Sequence, residues 1–282
     1  MNFEQGKVFD SSGDQKINQI DPAQLTEGNL TIKDKEGFTL LHLAAIYGHL
    51  DQVPKKSFTR ENLVTQGNQE RTPLHLAASY GHLNQIPTEF LTRENLVIKN
   101  SNGGTPLHLA AANGHLDQIP VEVITLKVIT ITNDYGVTPL HEAAEDGHLS
   151  QIPINVLSQA DFTIKDNEGR TPLHVAAESG YLPKVPGVLL TKENLVIKNQ
   201  SGENPLQSTQ DSQTTPSPKE WLKLLRTEGR INELLEITDI PPEIQYNLSK
   251  ALELALDIKD KSAQLSAAID KIGFPKPSKQ TS

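Results

Sequence analysis

Histidines and carboxylates are the residues in this chain whose types and spacing could do chemistry. The segment His141-Glu142-Ala143-Ala144-Glu145-Asp146-Gly147-His148 approaches His-Glu-x-x-His, in which two imidazoles one helical turn apart hold zinc. The second imidazole is missing, because Glu145 stands four residues after His141 and His148 stands seven after it. The chain has no cysteine among its 282 residues, which removes thiol nucleophiles, disulfides, thiolate zinc sites and iron–sulfur clusters together. No Gly-x-Ser-x-Gly elbow, phosphate-cradling glycine loop or dinucleotide fingerprint occurs. No catalytic, cofactor-binding or metal-binding residue is assigned, and no enzyme activity is expected.

All nine histidines fall at two recurring places. Thr39-Leu40-Leu41-His42-Leu43-Ala44-Ala45 returns every 33 residues, as Thr72-Pro73-Leu74-His75, Thr105-Pro106-Leu107-His108, Thr138-Pro139-Leu140-His141 and Thr171-Pro172-Leu173-His174. A glycine follows nine residues after each Thr, and His49, His82, His115 and His148 come directly after four of these. The unit reads as a short helix. Thr is a good N-cap, and Pro at the next position gives up a donor that had no partner anyway. The Ala pair lets helices approach closely, and Gly ends the helix in the left-handed conformation. So short a helix is marginal alone and needs neighbours to hold it.

The second half of each unit carries Pro at a fixed place: Pro54, Pro87, Pro120 and Pro153. An interior Pro would cost about 3 kcal/mol, so the outer helix is expected to break, with a new short helix starting at Pro. Thr59-Arg60-Glu61-Asn62-Leu63, repeated at Thr92 and Thr191, predicts one further helical turn with an acid near its start. Thr125-Leu126-Lys127-Val128-Ile129 replaces that element with a run of poor helix propensity. Segments such as Val97-Ile98-Lys99-Asn100-Ser101-Asn102-Gly103 signal a tight turn or hairpin.

A 33-residue unit of β-turn plus helix pair bearing Thr-Pro-Leu-His-x-Ala resembles the ankyrin repeat. The resemblance spans residues 37–200 and implies an all-α solenoid with turn or hairpin tips. It also implies that the histidines at both positions, in Thr-x-Leu-His and after the helix-ending Gly, orient loops through backbone hydrogen bonds. In that family, recognition falls to the tips and to the residues just before the helix-ending Gly. Carried over by position, these are Phe38, Ile46, Tyr47, Arg71, Ser79, Tyr80, Gly104, Ala112, Asn113, Tyr135, Val137, Glu145, Asp146, Arg170, Glu178 and Ser179. They vary between copies while the scaffold stays constant, and Tyr and Arg are enriched at interface centres. Glu142 stands where other repeats hold Leu or Val. With Glu145, Asp146 and Glu178 it reads either as a solvated helix face or as a contact for a basic segment.

Residues 1–34 are expected to form an N-terminal cap with a half repeat, and residues 35–202 the five repeats. Residues 203–218, rich in Gln, Ser, Thr and Pro, read as a linker. Residues 219–273 read as a degenerate capping pair with a helical tail, in which Ile244, Leu248, Ala251, Leu252 and Ala255 share a face that Leu265, Ala268, Ile269 and Ile272 continue. Residues 274–282 read as a disordered end.

The net charge is −9, and acids and bases nearly balance beyond residue 210, at 11 to 10. The negative charge therefore belongs to the repeats, and nucleic acid is not an expected partner. No basic start leads into an apolar run and no membrane span is visible, so a cytoplasmic monomer is expected. The function expected is non-enzymatic binding of a partner protein, without a cofactor. The alternative is an adaptor whose tail carries the activity, with the repeats as a targeting arm, as in a secreted bacterial effector.

Overall fold

The computed structural model describes residue 25 and residues 28–34, 37–157, 162–209 and 215–272, with side chains as far as 264. The expected N-terminal cap before residue 25, the expected disordered end, and the side chains of Leu265, Ala268, Ile269 and Ile272 lie outside the described residues.

Each Thr-x-Leu-His segment opens a helix: α1 (Leu40–Tyr47), α2 (Pro73–Tyr80), α3 (Pro106–Asn113), α4 (Pro139–Glu145) and α5 (Pro172–Glu178). Thr caps each one, and His at the fourth position of the motif returns the hydrogen bond. This is a capping box with imidazole in place of the usual Glu or Gln. Gly48, Gly81 and Gly114 close the first three helices at positive φ, from 74° to 77°.

Successive helices of this set pack side by side. Leu41, Leu74, Leu107, Leu140 and Leu173 are fully buried, as are Ala44, Ala77, Ala110, Ala143 and Ala176 between them. Each buried Leu contributes about 1.5–3 kcal/mol. Burial comes mostly from the neighbouring module, so no repeat is stable by itself.

The outer half is broken at Pro, as the sequence leads one to expect. A single 3-10 turn precedes it, as in Leu83–Gln85, and another follows, as in Thr88–Phe90. Pro87 precedes the second turn rather than opening it, with φ −56° and ψ 133°. The following Thr stands at the N-cap of a four-residue helix at Arg60–Leu63, Arg93–Leu96 and Lys192–Leu195, and Thr59 and Thr191 accept from the Asn62 and Asn194 N–H groups. Leu126–Ile129 is helical too. Val128 and Ile129 are fully buried there, and packing outweighs the few tenths of a kcal/mol of unfavourable propensity. The tips are turns, closed by bonds such as Gly103 N–H to the Asn100 carbonyl, and no strand occurs among the described residues.

A sixth repeat starts and stops. Asn204 and Gln207 reproduce the Thr–His cap: the Asn204 N–H donates to Gln207 Oε1, and the Gln207 N–H donates to Asn204 Oδ1, each at 3.0 Å. Asn204 and Leu206 are buried, so part of the stretch that reads as a linker is packed structure. Helices α6 (Pro218–Leu225), α7 (Glu228–Leu235) and α8 (Pro242–Ile272) follow. They pack on one another around Trp221, Leu225, Ile231, Leu234, Ile244, Leu248 and Ala251, all buried. A Cβ added to Gly187 of the last repeat would overlap the Leu224 carbonyl, so α6 ends directly on that repeat.

Candidate functional site

The histidines of the Thr-x-Leu-His motifs are occupied. In each, the Thr backbone N–H donates to Nδ1 at 3.0–3.2 Å. Nε2 lies 2.9–3.1 Å from a carbonyl oxygen 29 residues ahead, at Arg71, Gly104, Val137, Arg170 and Glu203. A carbonyl can only accept, so Nε2 carries the proton and the ring is neutral. Burial agrees, lowering the pKa of His42, His75 and His108 to about 4 and lowering those of His141 and His174 as well. These imidazoles hold the tip of the next repeat, and both ring nitrogens are engaged before any metal could arrive.

The second set of histidines lies against the preceding module. A Cβ on Gly48, Gly81 or Gly114 would press on the ring of His82, His115 or His148, respectively. His82 Nδ1 donates to the Ala45 carbonyl at 2.8 Å. Tyr181 takes this place against Gly147. Among the described residues no three His, Asp or Glu come together in a metal-holding group.

The tips, whose residues differ from repeat to repeat, line one edge of this scaffold. Consecutive tips are joined by backbone bonds, from the Ser101 N–H to Gln69, Asp134 to Asn102, Asn167 to Tyr135 and Gln200 to Glu168. That aligns Arg71, Gly104, Val137 and Arg170, each the residue whose carbonyl a histidine holds. Tyr80 and Tyr135 are 53% and 59% exposed. Phe38, Ile46, Tyr47, Ser79, Ala112 and Val137 are half-buried, whereas Asn113, Glu145, Asp146 and Ser179 are exposed and Gly104 is buried. Phe38 stands edge-on to His42, with ring centres 5.2 Å apart. The tip before α2 is unusual: Gln69 and Glu70 adopt φ 54° and 55°, a conformation that costs non-glycine residues about 1–3 kcal/mol.

The acidic residues divide into two settings. Arg170 bonds Asp166 at 2.8 Å and Glu178 at 3.3 Å, so Glu178 is partnered. Glu142 is half-buried at a Leu position, and its pKa rises to about 7, through burial first and then the charges of Glu145 and Asp146.

A family model of ankyrin repeats, three copies long, matches residues 23–86, 56–121, 84–166 and 119–199. The chain belongs to the ankyrin-repeat family. No curated protein matches it. Ankyrin repeats are in general protein–protein interaction modules without enzymatic activity. Among the described residues no helix is long and apolar enough to cross a membrane. The start of a sixth unit at Asn204-Pro205-Leu206 keeps the period of this ankyrin chain, and the Asn204–Gln207 cap forms there. The contact of Gly187 with Leu224 escapes motif reading, although Gly187 follows Pro where other repeats hold a side chain.

Proposed function

We propose that this protein binds a partner protein reversibly through the edge formed by its tips and the C-terminal ends of α1–α5. The observation that carries the reading is the division of labour between positions. Those that build the stack are constant and buried; those on the edge differ from repeat to repeat and include the exposed Tyr80 and Tyr135. The contact residues proposed are Phe38, Ile46, Tyr47, Arg71, Ser79, Tyr80 and Asn113, then Tyr135, Val137, Glu142, Glu145, Asp146, Arg170 and Glu178. A rigid, preformed surface orders little of itself on docking, which conserves affinity. The acids around Glu142 favour a basic segment in the partner. Residues 35–202 are proposed as the binding stack, with the helices after residue 218 closing its open end as a stack needs.

The test is affinity purification with the full chain and with Tyr47→Ala, Tyr80→Ala, Tyr135→Ala combined. The triple variant keeps the melting temperature of the original and loses the captured partner. Equal capture by both proteins places the interface elsewhere.

A further inference from the structure

A second surface lies where the last repeat meets the tail. The residues between Leu182 and Leu190 and the end of α6 enclose a cleft of about 530 Å³, within the size range of sites that take small ligands or peptide side chains. None of the tip residues lines it.

Its chemistry is opposite to that of the chain. Lys184, Lys223, Arg226 and Arg230 line it and no carboxylate does, in a protein with net charge −9. Arg230 is committed, donating to the carbonyls of Gly187 and Leu190. Lys184, Lys223 and Arg226 form no ion pair with any described residue. Between the cations lie Pro183, Pro186, Ile154 and Val188, the last two 57% and 44% exposed.

The last repeat departs from its own pattern to make this surface. Gln52, Gln85, Gln118 and Gln151 hold the position that Lys184 takes. Two of those glutamines tie modules together: Gln85 Oε1 accepts from the Leu50 N–H at 3.0 Å, and Gln118 Nε2 donates to the Gly81 carbonyl at 2.9 Å. Lys184 forms no such bond and stands 4.5 Å from the Tyr181 ring centre. Lys223 and Arg226 lie at the carbonyl end of α6, whereas Lys184 comes from another element, the 3-10 turn Leu182–Lys184.

We propose that this cleft binds an acidic, extended segment of a partner protein. One apolar side chain of that segment seats between Ile154, Pro183 and Val188, and its flanking carboxylates pair with Lys184, Lys223 and Arg226. Charge complementarity selects the segment and speeds its arrival, while the apolar contact fixes its register. This surface is separate from the tip edge and works independently of it.

The probe is a fluorescein-labelled peptide of about a dozen residues, Asp and Glu around one central Leu, long enough to span a groove in extended form. It is titrated into the full chain by anisotropy. Saturable binding is expected, weakened by added salt because the pairs are solvent-accessible. Combined Lys184→Glu, Lys223→Glu and Arg226→Glu substitutions weaken it about tenfold or more. Lys184→Gln, which restores the residue of the other repeats, weakens it severalfold without threatening the fold. Lys127→Glu, outside the lining of the cleft, and the triple Tyr→Ala variant leave it unchanged. Replacing the central Leu by Ala, or the acids by Asn and Gln, weakens the probe itself. Absent saturation, equal affinity of the triple reversal, or equal affinity of the neutral peptide overturns the proposal. So does equally tight binding of an oligothymidylate of similar length, which makes the cleft a general polyanion site.

Discussion

The Nε2–H of His75 donates to the carbonyl oxygen of Gly104, 3.1 Å away in the next repeat, while its Nδ1 accepts from Thr72 in its own. One side chain thus caps a helix and holds a neighbouring tip. The relation recurs at all five Thr-x-Leu-His motifs. It explains how residues with the look of chemistry serve as scaffold, leaving the edge beside them free to vary.

Replacing His75 by Ala removes both bonds, leaving the buried Thr72 N–H without its acceptor and the Gly104 carbonyl held by the Asn100 N–H alone. A loss of about 2–4 kcal/mol is expected, measured as a lower midpoint in urea. Thr72→Ala loses the capping hydroxyl together with its methyl group, leaves the imidazole in place, and costs about 1–2 kcal/mol. A His75→Ala variant as stable as the original contradicts the assignment.

Stability depends on pH through these rings. The pKa of each of His42, His75 and His108 falls from 6.5 to about 4 on folding, so between those values the unfolded chain binds more protons. Their contribution is fully present above pH 6.5 and is lost as pH falls toward 4. Each ring accounts for on the order of 3 kcal/mol. Denaturation at a series of pH values shows stability rising steeply from pH 4 to 6.5, and a flat profile there contradicts the neutral-imidazole assignment.

Glu142 works in the opposite direction. Its folded pKa, raised from 4.5 to about 7, means that the folded protein binds more protons between those values. Stability from this residue is present below pH 4.5 and declines as pH rises through 7. Glu142→Leu restores the residue of α1, α2 and α3. It gains about 0.5–2 kcal/mol at pH 8, with a smaller gain at pH 5, as urea midpoints at the two values report. If the edge meets a basic partner segment, the same substitution weakens that complex, so stability and binding move apart.

Gly187 and Gly229 give a matched pair. Gly187→Ala forces α6 away from the last repeat, because no Cβ fits against the Leu224 carbonyl. Gly229 lies in α7 with open space around it, so Gly229→Ala stabilises by up to about 1 kcal/mol. Trp221, the single Trp of the chain, is fully buried and reports both. Its emission shifts to the red in Gly187→Ala and stays in place in Gly229→Ala.

The stack was legible because each module states its own ends: Thr and Pro at the start, Gly at the finish. The same letters recur at a fixed period, so noise in one copy is corrected by the others. The break at Pro54, Pro87, Pro120 and Pro153 was legible for a local reason, the missing donor. Leu126–Ile129 was not, because its helix is held by the burial of Val128 and Ile129, which its own propensity does not disclose. Gly187 was not, because its reason lies in Leu224, on a helix far along the chain. The edge residues are legible only as places that vary; their energetics belong to a surface whose other half is another molecule.

Hydrogen–deuterium exchange on the full chain, free and bound to its captured partner, tests the central claim most directly. Binding through the tip edge slows exchange in the tips at 66–71, 99–104, 132–137 and 165–170 and at the ends of α1–α5, leaving the outer turns unchanged. Protection confined to α8 or to the outer turns, with the tips exchanging as in the free protein, contradicts it.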